Sequence, residues 1–398
     1  MIDNKILKYY NTCAFTPNRR IIKMIEVFKV ENKKQQKEFV NFPLKLYKKH
    51  PYYVPALYSD EMKAFTNDFT YSDVTTSAHF IAYKDGKIAG RLQVIIQHQY
   101  NEIHNEKRAR FSRIHFIDDL EVSKALFEAG EKWAKEQGMD TMCGPLNYSD
   151  LEREGLLVEG FDQPQTFEEE YNYDYYEKHV LNMGYTKEVE WIESQIRKPK
   201  DIATYEKIKR IAEKVMTINK LHIASTKRSK KAYINHYQEQ FYEVLDETYK
   251  HIYGVVPWTG KMKDALKAQF LLLINKKFLV FVCDENDKVV GLGFVIPNIS
   301  KPLQRSGGHL YPLTIAKVLT SVRKPKILDF GLIGILPEYQ NKGVSSILLY
   351  KIMEAFYNEG VEYGETNLNL TDNQAILSQW QYFDQKVNKR RRAYVKKI

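Results

Sequence analysis

Cysteine is scarce. Cys13, Cys143 and Cys283 are the only three in 398 residues, far apart and without a CxxC pair. This odd, scattered set argues against a disulfide framework and against a zinc site, so no metal is expected and a reducing cytoplasm fits best. Long apolar runs are missing too. Stretches such as Phe278–Cys283 and Leu271–Ile274 fall well short of the ~18 residues of a membrane-spanning helix and suit a soluble core. The first ten residues mix charge with isoleucine, with no apolar signal-peptide centre. No recognised nucleic-acid module is present either. The basic stretch Lys389-Arg390-Arg391-Arg392 alternates through an expected final strand, so a nucleic-acid partner is not expected.

What is present is ample core material. Hydrophobic residues make up 43% of the chain and tyrosine alone contributes 28 residues, which rules out global disorder. The length corresponds to about two domains. Net charge is +10 overall, but it falls in blocks: +8 over residues 1–50, −10 over 51–200 and +12 over 201–398. Such a split suits one compartment for an anion and another for a cation.

Two stretches read alike. Phe80–Ile95 and Phe281–Ile296 are each an apolar strand, a tight polar turn (Asp85-Gly86, Asn286-Asp287) and a second apolar strand, the pattern of a β-hairpin. Each is followed, after an insertion, by another strand, 111–117 and 327–335. An amphipathic helix comes next: Val122, Leu126, Ala129 and Trp133 share one face, and Ile347, Leu348, Ile352 and Phe356 another. Both helices stop at a glycine, Gly138 and Gly360. The chain therefore reads as one α/β module used twice, over 24–200 and 201–398, after an extension at 1–23. Each module is expected to be a mixed, mostly antiparallel twisted sheet flanked by helices.

The most informative stretch is Ile335-Leu-Pro-Glu-Tyr-Gln-Asn-Lys-Gly-Val-Ser-Ser346. A strand ends, Pro337 breaks it, and a loop with Gly343 opens a helix. Free N–H groups in a helix's first turn bind anions, and glycine lets a phosphate approach the backbone. A simple strand-to-helix turn accounts for these residues equally well. Gln340-Asn341-Lys342-Gly343-Val344-Ser345 resembles the Gln/Arg-x-x-Gly-x-Gly/Ala signature of the GNAT superfamily of acyl-CoA-dependent N-acyltransferases, with Ser345 at the last position. Asn373-Gln-Ala-Ile376 and the element order over 201–398 add to the resemblance. Residues 24–200 resemble the same fold without the signature: Glu121 stands where Gly343 does, after Asp118 and Asp119, and would repel a pyrophosphate.

The resemblance implies a V-shaped cleft beside strand 327–335. The pantetheine arm of an acyl-CoA, acetyl-CoA by default, would pair with Ile333, Gly334 and Ile335. The pyrophosphate would sit on the amides of Gln340, Asn341, Lys342, Gly343, Val344 and Ser345, with Asn373 beside the arm. The N–H of Ile335 is the implied oxyanion donor. Glu365 is the expected base, and Tyr382 stands in for the general-acid tyrosine whose usual place holds Trp380. Trp258 lies in a loop that resembles the family's acceptor side.

The acceptor is expected to be a small cationic amine between the modules. Asn147, Glu154, Glu159 and Asp162, in an irregular stretch rich in glycine and carboxylates, are the expected contacts. Two other readings remain: a non-catalytic CoA sensor, and a basic protein associated with nucleic acid. The sequence sets no oligomeric state.

Overall fold

The structure, a computed structural model, describes residues 7–10 and 24–398, so most of the extension at 1–23 lies outside the described residues. The chain forms two compact units. Unit 1 holds Met1–Glu190, Gly307–His309 and Arg391–Ile398; unit 2 holds Trp191–Ser306 and Leu310–Arg390.

In unit 1 the order is β1 (Leu7–Tyr10), β2 (Met24–Lys29), α1 (Lys33–Leu46), α2 (Tyr58–Lys63), β3 (Thr75–Lys84), β4 (Lys87–Gln97), α3 (His98–His104), β5 (Arg108–Phe116), α4 (Leu120–Glu136), β6 (Thr141–Gly144), β7 (Leu156–Glu159), α5 (Tyr175–Asn182) and the start of β8 (Thr186–Arg197). Strands β1 to β5 pair antiparallel in sequence order, and β5 pairs β6 in parallel. The expected hairpin is β3–β4, closed by Asp85 and Gly86 at positive φ. The apolar face of α4, Val122, Leu126, Ala129 and Trp133, is buried. Its contact with the sheet is close, since a Cβ on Gly130 would come within 2.7 Å of Leu92, and one on Gly90 within 2.7 Å of Leu126.

Unit 2 continues with α6 (Ile202–Ile218), β9 (His222–Ile223), α7 (Lys230–Tyr249), α8 (Gly260–Leu273), β10 (Leu279–Cys283), β11 (Val289–Pro297), α9 (Ser300–Ser306), α10 (Pro312–Arg323), β12 (Ile327–Ile335), α11 (Ser345–Asn358), β13 (Tyr363–Glu365), β14 (Asn369–Leu370), α12 (Gln374–Trp380) and β15 (Asp384–Lys397). The last residues of β15 belong to unit 1 and pair there with β6, from Tyr394↔Gly144 to Lys397↔Thr141. The sheet of unit 2 runs β9-β10-β11-β12-β13-β8, antiparallel except for β12–β13. Both faces of β12 are covered. A Cβ on Gly334 would meet Thr248 and Val244 of α7, whereas Ile333 lies with Leu348 of α11 around Gly293. Alternate side chains of a strand point to opposite faces, and here each face has its own helix.

The fold class is thus mixed α/β with mostly antiparallel sheets, as the repeated hairpins imply. The basic run near the C-terminus is not a free patch. Lys389 is buried against Glu193 at 2.8 Å, Arg391 against Glu169 at 3.5 Å, and Arg392 pairs with Glu190 at 2.6 Å and Glu177 at 2.8 Å. Buried cations require such partners, and these are not available to bind phosphates.

Candidate functional site

Strand β12 pairs in parallel with β13 for only three residues, Ile327↔Tyr363, Leu328↔Gly364 and Asp329↔Glu365. The chain then leaves β12. Thr366 donates its N–H to Ser194, and Asn369 and Leu370 pair with Ile192 and Trp191 of β8. From Phe330 onwards β12 keeps β11 on one side only. Leu336 donates its N–H to Val290 of β11, so by alternation Ile333 and Ile335 turn their backbone groups to the other edge. Their partners confirm the direction. Tyr249 of α7 accepts from the N–H of Ile333 at 3.2 Å and donates to its carbonyl at 3.0 Å. Gln340 donates its side-chain amide to the carbonyl of Ile335 at 3.1 Å.

Beyond Ile335 the chain makes a 3-10 turn at Pro337–Tyr339 and enters α11 through Asn341 and Gly343, both at positive φ. Glycine is required at 343 twice over: its φ is +80°, and a Cβ there would stand 3.0 Å from Val215 of α6. Helix α11 carries no side-chain N-cap. The turn itself uses the N–H groups of Gln340, Lys342, Ser346 and Ile347. Among the described residues no acceptor meets those of Asn341, Gly343, Val344 and Ser345. Gln340, Asn341 and Lys342 are exposed and Ser345 is partly exposed. The Lys342 ammonium lies 4.7 Å from the Tyr339 ring centre, at the mouth of this turn. Unused amides, a helix dipole and a lysine together are the elements from which an anion site can be built.

Other residues singled out by sequence fall elsewhere. Asn373 caps α12, its side chain accepting from the N–H of Ile376 at 3.3 Å. Trp380 is buried and donates its indole N–H to Asn369 at 2.7 Å, whereas Tyr382 is 45% exposed. Glu365 is buried and both its oxygens accept, from Gln195 at 3.0 Å and from Asn388 at 2.9 Å, with Lys389 at 3.8 Å. These contacts tie the carboxylate to β8 and β15 while leaving a lone pair on each oxygen. Trp258 packs against Tyr242, ring centres 4.9 Å apart.

The acidic stretch of unit 1 divides. Asn147 and Glu154 line one small cavity together with Arg113, Arg153 and Glu170. Glu159 and Asp162 are exposed and are not among its lining residues. Asn147 accepts from Arg113 at 2.8 Å and donates to the carbonyl of Arg153 at 2.9 Å. Glu154 is 4% exposed, and among the described residues its Oε1 has no partner. Burial, reinforced by Asp150, holds its carboxyl well above the usual range. Burial acts the same way on Glu152 and Glu168, raised to about 7. Glu61 shows the opposite outcome: burial alone would raise it, but Arg113 and Arg91 hold it at about 2.

The sequence matches no protein-family profile. Two curated proteins match over most of the chain. It is 25% identical to Protein YghO of Escherichia coli (strain K12), over 92% of this chain and 94% of that one. It is 24% identical to Bacterial ceramide synthase of Caulobacter vibrioides (strain NA1000 / CB15N), over 85% and 88%. Among solved structures, a tandem GNAT protein from the clavulanic acid biosynthesis pathway superposes with a TM-score of 0.54 at 10% identity, covering 94% of this chain and 98% of that one. The fold is the tandem GNAT fold. A fungal GCN5-related glucosamine N-acetyltransferase region matches with a TM-score of 0.56 at 12% identity, over 94% of this chain and 38% of the larger protein. In the tandem GNAT fold of this chain, the open strand edge and the uncapped helix both lie in unit 2. Sequence reasoning missed Tyr249, whose apolar helical setting resembles ordinary core, and the unpartnered Oε1 of Glu154, which only burial reveals. No helix among the described residues is long and apolar enough to cross a membrane.

Proposed function

We propose that the protein is an acyl-CoA-dependent N-acyltransferase whose donor site is in unit 2. The observation that carries this reading is the uncapped start of α11 beside a strand edge that has parted from its neighbour. The pyrophosphate would rest on the amides of Asn341 and Gly343 to Ser345, with Lys342 adding charge. The pantetheine arm would run along Ile333–Ile335 and displace the Tyr249 hydroxyl from Ile333. The neutral amine attacks the thioester carbonyl, the C–S bond breaks, and the proton lost by the amine is balanced by the one gained by the CoA thiolate. A backbone N–H on this edge, that of Ile335, is the proposed donor to the developing oxyanion. Glu365 is proposed as the base that takes the amine's proton, and Asn373 lies at the start of α12. On the acceptor side, Glu154 with Asn147 is proposed to hold a second, non-reacting ammonium group of the amine, the buried carboxyl ionising when that charge arrives.

For the donor, acetyl-CoA is the simplest case. A longer acyl chain is favoured by one observation, the name of the Caulobacter relative, since a ceramide is a fatty amide. Thiol release measured with acyl-CoAs of increasing chain length against a panel of amines tests both levels. Turnover with at least one amine is expected, with polyamines and long-chain amino alcohols ahead of acidic amino acids. CoA binding without thiol release from any amine would favour the sensor reading.

A further inference from the structure

Unit 2 brings together, at the opposite edge of its sheet from β8, four side chains that no acyl transfer needs. His222 of β9 stands directly across from Cys283 of β10 in the strand register. Asp287 lies in the β10–β11 turn, and His236 projects from α7. His222 Nε2 is 3.4 Å from Asp287 Oδ1, and His236 Nε2 is 2.9 Å from Asp287 Oδ2. The donor atoms of His222, Cys283 and Asp287 all lie within 4.8 Å of one another.

We propose that His222, His236, Cys283 and Asp287 form a binding site for a divalent cation of the zinc type. Two imidazoles, a thiol and a carboxylate are the ligand types zinc takes, and its ~2.0–2.3 Å bonds set tetrahedral donors roughly 3.3–3.7 Å apart. The His222–Asp287 separation of 3.4 Å already falls within that spacing, and the His236–Asp287 separation of 2.9 Å is shorter, a hydrogen-bond distance that metal binding would open slightly. With the thiol ionised, the ligands carry two negative charges, so a divalent ion leaves the site neutral. A thiolate among them selects zinc over magnesium or calcium.

The site is also held in place. The Asp284 carboxylate accepts from the N–H groups of Asn286 and Lys288 at 2.8 and 3.0 Å, and Asp287 donates its own N–H to the Asp284 carbonyl at 3.1 Å. Asp287 therefore sits in a turn braced from within. Tyr237 donates its hydroxyl to Asp287 Oδ1 at 3.0 Å, the supporting contact that metal-bound carboxylates commonly have. Cys283 is fully buried while the two histidines and Asp287 are about half exposed, which leaves the ion a path from solvent. The expectation of no metal rested on spacing along the chain. Here the ligands come from residues 222 to 287, assembled by a strand pair, a turn and a helix.

The bound ion would tie the short edge strand β9 to the hairpin and to α7. This does not depend on the acyl-transfer reading, and its test uses no enzymatic activity. The full-length protein, stripped with a chelator, is titrated with zinc and separately with cobalt(II). One zinc per chain, a higher thermal unfolding midpoint, and tetrahedral cobalt bands with a thiolate charge-transfer band are expected. Asp287→Asn and His236→Gln should each weaken zinc binding at least tenfold, Cys283→Ser should remove the charge-transfer band, and Cys143→Ser in unit 1 should retain it. If Cys283→Ser does not fold, the exposed-site variants still decide. No zinc bound at micromolar concentration, unchanged affinity in both exposed-site variants, or a cobalt complex without a thiolate band would overturn the assignment.

Discussion

Helices α4 and α11 occupy the same place in their units, each following a hairpin and a further strand, yet their first turns are finished in different ways. In unit 1, Asp119 caps α4 by accepting from the N–H of Glu121 at 3.1 Å, and its carboxylate is paired with Lys84. Glu121 stands exposed in the same turn. In unit 2, α11 has no side-chain cap, glycine holds the turn open, and a lysine replaces the acids. One helix satisfies its amides from within and repels anions; the other leaves four amides and the positive end of its dipole to a ligand. The proposed anion site thus depends on omitting a cap as much as on adding a charge.

The comparison is broken most severely by giving unit 2 the residue of unit 1. Gly343→Glu places a carboxylate and a side chain in the proposed anion site, so calorimetry should show CoA affinity falling by ~1,000-fold or more, about 4 kcal/mol. Because position 343 also has positive φ and Val215 close by, the variant's unfolding midpoint must be recorded alongside. The reciprocal change, Glu121→Gly, should leave CoA stoichiometry at one. Two CoA sites in that variant, or unimpaired binding in Gly343→Glu, would show that the turns do not decide.

The next effect concerns what unit 1 buries where unit 2 stays open. Glu154, Glu152 and Glu168 are raised in the folded state, so between the unfolded carboxyl pKa and the folded value the native protein binds more protons than the unfolded chain. Stability then falls as pH rises through that window, which for Glu152 and Glu168 runs from about 4.5 to about 7. Glu61, depressed to about 2, acts oppositely and loses its contribution on acidification below about 4.5. Urea unfolding from pH 5 to 8 should show a decline that Glu154→Gln makes shallower by up to ~1.4 kcal/mol per pH unit. An unchanged slope in Glu154→Gln would mean its carboxyl is ionised in the folded protein. If Glu154 also holds the acceptor's ammonium group, the same variant should raise the KM for the amine and leave that for acyl-CoA alone.

Much of this architecture is legible in the sequence because hydrophobic period and turn chemistry are local. Asp85-Gly86 marks a hairpin wherever it sits, and Val122, Leu126, Ala129 and Trp133 define a buried helical face with no knowledge of the partner. The loop at Gly343 is legible for the same reason: a glycine between a strand and a helix is a backbone requirement. What sequence does not reveal is pairing across distance. Glu365 looks like a free strand carboxylate until Gln195 and Asn388 are found on its oxygens. Glu154, Glu159 and Asp162 look like one acidic cluster until burial separates the first from the other two. Tyr249 shows nothing of its role until β12 is seen to offer it an unpaired edge.

A smaller effect tests whether the cap of α4 is structural alone. Asp119→Ala removes the acceptor for Glu121 and the partner of Lys84, and should cost ~1 kcal/mol of stability by denaturant unfolding. No CoA binding should appear in unit 1, since Glu121 remains and the loop lacks a glycine. A new CoA site in this variant would mean that the cap alone suppresses one.

The smallest effect is expected at the strand edge of unit 2. The Tyr249 hydroxyl occupies both backbone groups of Ile333, the ones proposed for the pantetheine arm. CoA must therefore exchange two hydrogen bonds for two others, which nets little. Tyr249→Phe removes the competitor and leaves the N–H and carbonyl of Ile333 without it in the unliganded protein. That raises the free energy of the empty state by about 1 kcal/mol, the usual net worth of such a bond. CoA affinity should then tighten by roughly fivefold, while the unliganded protein unfolds at a lower temperature. The two changes share one cause and should move together. If CoA instead binds more weakly to Tyr249→Phe, the hydroxyl is a ligand of the arm and not its stand-in, and the pantetheine runs elsewhere on β12.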